Sequence, residues 1–172
     1  MTDTSDTSDI SSDESHLEGL SAIFEAGLDA RQKGNIDRAV ELLKVVLRRE
    51  PRLAEPRLEL AHIYLETDRL EDAELEAREG LRLLELGGQW IDSLPDAVIQ
   101  GHAHNLLGEI LRRKADTDEV IFGDPEAFKA ILVESRKSFA RAAELDPNDE
   151  YASHHDFFLN LEEGLTPSEP QA

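Results

Sequence analysis

Apolar positions recur every three to four residues over most of the chain, the spacing that gathers them on one side of an α-helix. The first run is Leu17, Leu20, Ile23, Phe24, Gly27 and Leu28. Ser15 and Glu18 form S-x-x-E, a capping box in which hydroxyl and carboxylate each accept from an orphan backbone N–H. The spacing therefore predicts a helix that starts at Ser15 and stops at Gly34, a residue that accepts left-handed backbone. Asn35 is the N-cap of a second helix with Ala39, Leu42, Leu43, Val46 and Leu47, ended by Pro51. A third opens near Pro56 and carries Leu60, Ala61, Ile63 and Tyr64. Asp68-Arg69 marks a turn. The fourth has Leu70, Ala73, Ala77, Leu81 and Leu84, up to Gly87-Gly88.

A fifth helix is predicted from about Pro95 through Val98, Leu107, Gly108, Ile110 and Leu111. Asp124-Pro125 reads as an N-cap and a proline at the first helical position. It opens a long sixth helix with Phe128, Ile131, Leu132, Phe139 and Ala142, ended by Pro147. A seventh is predicted over 149–163, with Tyr151, Phe157, Phe158 and Leu161. The class is all-α. Residues 1–14, Ser, Thr and Asp with one Ile, carry five acids and no base. They hold too little apolar area to offset chain entropy and are expected to be a disordered tail. One helical domain is expected over 15–165, and a second tail over 166–172.

The helices also repeat. Ala39 and Ala73 stand 34 residues apart, as do Gly27 and Ala61, Ala26 and Leu60, Leu43 and Ala77, and Ala30 and Tyr64. Fixed periods of this length mark stacked supersecondary units. The pattern resembles the tetratricopeptide repeat, W-x2-L-G-x2-Y…A-x3-F…P. Repeats over 20–53 and 54–87 supply Gly27, Ala39, Leu43 and Pro51, then Leu60, Ala61, Tyr64, Ala73 and Ala77. A third, over 101–149, has Leu107-Gly108 and the segment SFARAAELDPND, separated by an insertion. A further stretch, 88–100, precedes it, and no repeat has the tryptophan. The resemblance implies a right-handed superhelical array of antiparallel helix pairs, about seven helices in all, with the helix over 149–163 as a solvating cap.

It also implies a concave groove, lined by the first helix of each pair, that holds a peptide. By register, the groove presents Phe24, Leu28 and Arg31, then Leu58, His62 and Leu65, then His102, Asn105, Glu109 and Arg112. Some relatives clamp the carboxylate tail of a heat-shock chaperone there with lysines, asparagines and a further basic residue. The matching places here hold Phe24, Leu28, Glu59, His102 and Leu106, so no clamp is expected. A second candidate surface lies in the insertions, at Trp90 and at Ile121 and Phe122, where apolar residues stand among acids. Folding back over neighbouring helices is the other reading of both clusters.

Composition narrows the partner. The formal charge is −20, from 38 acids and 18 bases. That field disfavours nucleic acid and anionic lipid. It fits a basic or apolar protein segment, general solubility, or high salt. There are no cysteines, so disulfides and thiolate chemistry are excluded. Met1–Ser15 has no lysine or arginine, and no stretch nears the ~20 apolar residues of a membrane span. The expected location is cytoplasmic.

The six histidines offer no metal site. His102 and His104 point roughly 200° apart on a helix, and His154-His155 diverge. No phosphate loop and no nucleophile–base–orienter set is present. The reading is a non-enzymatic interaction module, adaptor or chaperone-like, with no cofactor or metal and with self-association as the alternative.

Overall fold

The computed structural model describes residues 7–90 and 94–147, with side chains from Glu18 onward. The described residues form seven helices: α1 (Thr7–Gln32), α2 (Ile36–Arg49), α3 (Glu55–Glu66), α4 (Leu70–Glu85), α5 (Asp96–Ala115), α6 (Asp118–Ile121) and α7 (Pro125–Leu145). They stack as three pairs. α1 packs on α2, α3 on α4 and α5 on α7, with α2 against α3 and α4 against α5 joining the pairs in series.

The turns inside the first two pairs share one geometry. Gly34 takes φ 75° and Asp68 takes φ 60°. After each, a backbone N–H reaches back across the helix end: Asn35 donates to Ala30 O and Arg69 to Tyr64 O, both at 2.8 Å. This six-to-one bond satisfies a carbonyl that the helix end would orphan. Gly34 and Asp68 are themselves 34 residues apart, so the period extends to the turns. Aspartate tolerates the left-handed region better than most residues. The Asn35 carboxamide accepts from Arg38 N–H, and the Asp124 carboxylate from Glu126 N–H, as their N-cap positions require.

Small residues let the pairs close. Ala39, Ala61, Ala73, Ala77 and Ala142 have no solvent exposure. A Cβ on Gly27 would lie 3.4 Å from the Leu43 side chain, and one on Gly108 would lie 3.0 Å from three ring atoms of Phe139. Gly27, Ala61 and Gly108 occupy corresponding places in the three pairs. In the third, the buried Ser135 hydroxyl also donates to Gly108 O at 2.8 Å, locking α7 to α5.

The structure differs from the sequence reading at three places. α1 begins at Thr7, so the boundary expected between residues 14 and 15 falls inside a helix. Ser15 is therefore inside α1 and not at its start. No glycine or proline interrupts 7–14, so nothing there stops the helix from starting before Ser15. Second, the insertion between α5 and α7 contains α6, a single turn too short to show periodicity. Third, the seventh helix in chain order is α7 itself. The helix expected over 149–163 and the tail over 166–172 lie outside the described residues. No described helix is long and apolar enough to cross a membrane.

Candidate functional site

α3 is the centre of the molecule and is apolar over most of its circumference, with Glu55, Glu59, His62 and Glu66 gathered on one narrow face. Leu60, Ala61 and Tyr64 are buried, and so are Pro56, Leu58 and Ile63. A helix apolar most of the way round must be covered on more than one side. α1 and α5 likewise carry a second stripe beside the one facing their outer partners. On α1 it is Phe24 and Leu28. On α5 it is Ile99, His102, Ala103, Leu106 and Glu109, at i+3 and i+4 steps.

These second stripes converge on one groove, a cavity of about 460 Å³. Its floor is Phe24, Leu58, Ile99, Ala103 and Leu106, all buried. Leu28, Leu65 and Leu94 form an apolar rim, and Glu55, Glu59, His62, His102, Asn105 and Glu109 add polar groups. Eight of the ten residues expected to face a partner therefore line a single space. Phe24 and Leu58 do so as floor rather than as exposed wall, at 7% and 9% exposure. All five positions matched to the carboxylate clamp line it as well.

The other two expected residues are placed differently. Arg31 lies on a side extension with Leu28, Gln32, Glu59 and Glu66. Its guanidinium bonds Glu59 and Glu66, each at 2.6 Å. Burial works against its charge, but these two carboxylates outweigh that and hold it firmly protonated. Arg112 does not line the groove. It turns along its own helix to Glu109 at 2.8 Å and Asp116 at 3.1 Å, the ordinary i,i+3 and i,i+4 neighbours. His62 titrates below the usual histidine range. Burial is the main cause, Glu59 opposes it and Arg31 adds to it, so His62 is neutral at neutral pH.

Trp90 does not line the groove but packs against two residues that do. Its ring meets Phe24 at a centroid distance of 5.5 Å, tilted by 52°. Its backbone N–H donates to the buried Glu55 carboxylate at 2.6 Å. The segment that carries it is pinned from behind: Ala54 N–H donates to Gly88 O at 3.0 Å, and Gly88 N–H to Leu83 O at 2.8 Å. Leu94 lines the groove, and Trp90 abuts its floor at Phe24. Ile121 and Phe122 do remain on the surface, 51% and 82% exposed, away from it.

Sequence reasoning passed over Ile99, Ala103, Glu55 and Leu94 as lining residues. Stepping one turn from His102 reaches Ile99 and Leu106, and one turn from Leu58 reaches Glu55, so periodicity could have found them. Leu94 precedes its helix and gives no such signal. Among the described residues, no three His, Asp or Glu side chains gather as a metal site.

Comparison with known proteins agrees with this architecture. Residues 30–82 match the model of the tetratricopeptide repeat. No curated protein sequence matches the chain. A similar solved structure is the first tetratricopeptide domain of Spaghetti (RPAP3) bound to the HSP90 peptide SRMEEVD. It is 16% identical, with a TM-score of 0.61 over 84% of this chain and 93% of that one. A structure of MamA protein is 17% identical over 86% of this chain and 84% of that one, with a TM-score of 0.39. Residues 30–82 thus match the tetratricopeptide repeat, and the paired helices with their 34-residue period give the described residues the same helical-repeat architecture.

Proposed function

We propose that this chain is a non-enzymatic protein–protein interaction module, adaptor or chaperone-like, that takes an apolar segment of a partner protein into the groove across α1, α3 and α5. The observation that carries the reading is the cavity of about 460 Å³ between three helices, with a floor of Phe24, Leu58, Ile99 and Leu106 and an apolar rim of Leu28, Leu65 and Leu94. Apolar concavities of this size are where ligands bury bulky side chains. The Spaghetti domain of similar fold holds a peptide.

The same groove is unsuited to an acidic tail. Where a clamp needs cations it has Phe24, Leu28, Glu59, His102 and Leu106. Calorimetry with a synthetic leucine- and phenylalanine-rich peptide is expected to show binding, and the double variant Leu28→Glu/Leu65→Glu, on the partly exposed rim, to abolish it while the far-ultraviolet helix signal is kept. The peptide SRMEEVD is expected to bind no tighter than about 1 mM. Equal binding of the apolar peptide by wild type and by the folded double variant rules the groove out.

The alternative, a self-assembling subunit, is favoured by Ile121 and Phe122, an exposed apolar pair with no described neighbour covering it. Light scattering separates the two. A monomeric mass at every concentration removes the assembly reading.

A further inference from the structure

We infer that the segment received by this groove is cationic beside its apolar side chains: bulky apolar residues flanked by lysine or arginine. This rests on the groove being the binding site and concerns what it selects. Four carboxylates, Glu55, Glu59, Glu66 and Glu109, line the groove and its side extension, against one guanidinium, Arg31. Three net negative charges therefore face a space whose walls are apolar.

Neither nearby arginine is available to an anion. Arg31 is already bridged to Glu59 and Glu66. Arg112 is bridged to Glu109 and Asp116. Turning either toward a ligand carboxylate means breaking two ion pairs in exchange for one. A cation meets the opposite situation, because Glu59, Glu66 and Glu109 can each accept a further donor without releasing their arginine. Glu66 is the readiest, with its side chain 52% exposed at the mouth. Low-dielectric walls focus that field, and the whole-chain charge of −20 adds a long-range attraction of the same sign.

The test must separate the groove from the general field. Three synthetic peptides share one leucine- and phenylalanine-rich core and carry lysine, glutamine or glutamate triplets at both ends. Calorimetry is run on the full chain at roughly 50 mM and 500 mM sodium chloride, where the screening length falls several-fold. The expected order is lysine, glutamine, glutamate, with a lysine-to-glutamate preference of about tenfold at low salt that shrinks at high salt.

Glu59→Gln/Glu66→Gln removes two charges from the groove and is expected to cut the preference several-fold. Glu41→Gln/Glu144→Gln removes two exposed charges from outer helices and is expected to leave it nearly intact. The inference is overturned if the lysine and glutamate peptides bind alike, or if the two double variants behave alike. Binding of the glutamine peptide, lost in Leu28→Glu/Leu65→Glu and indifferent to flanks, refutes the charge selection and leaves the groove reading standing. Failure of all three peptides removes both.

Discussion

Phe139→Ala is expected to destabilise the fold by about 3–5 kcal/mol, seen as a lower urea midpoint by circular dichroism with little change in slope. Phe139 has no exposure and fills the contact between α5 and α7. Its partner there is Gly108, which has no side chain to move into the gap. Ser135 also holds the two helices at fixed separation through Gly108 O. The site cannot collapse, so the truncation leaves most of its cavity, and the cost belongs at the upper end for a buried aromatic. A loss below about 1 kcal/mol contradicts the ring's role as the keystone of the third pair.

Gly88→Ala is expected to cost about 1–3 kcal/mol and to weaken binding in the groove as well. A Cβ there would stand 2.4 Å from Arg52 O and 3.0 Å from Leu83 O. Both are backbone atoms, and Gly88 is itself fastened by bonds to Ala54 and Leu83, so nothing nearby can yield cheaply. Relief comes only by moving the Gly88 backbone, two residues from Trp90 and its contact with Phe24. Gly87→Ala is the control. Its φ of 78° makes alanine strained, but no atom obstructs the methyl. It is expected to cost about 1 kcal/mol with groove affinity unchanged. Denaturation midpoints and calorimetric affinities read both variants. Equal groove affinity in Gly88→Ala and wild type shows that the segment carrying Trp90 is not needed at the groove.

Most of the helical frame was legible because its stops are chemical. Gly34, Asn35, Gly87 and Asp124-Pro125 act through local backbone preferences that hold whatever surrounds them. The start of α1 was not legible, since a plausible cap at Ser15 competed with an uninterrupted helix and lost. The groove was legible through register: Phe24, Leu58 and His102 each fix a face, and their neighbours follow at one-turn steps. The fates of Arg31 and Arg112 were not, because which of several nearby carboxylates an arginine takes depends on spatial neighbours. Arg31 is 28 residues from Glu59 and 35 from Glu66, separations at which sequence gives no hint of contact. Trp90 was hidden for a similar reason. It sits in an irregular stretch whose path is set by the Gly88 clasp rather than by any period.

The position of Trp90 has a practical consequence. It is the chain's single tryptophan, so the indole emission of this protein arises from one place. That place is beside the groove, against its floor residue Phe24, where the ring is partly shielded from water. A ligand that covers the ring displaces solvent from it and moves the emission toward the blue. One that pries the segment open moves it toward the red. The molecule thus carries its own optical sensor, and candidate partners can be titrated against it without attaching any label.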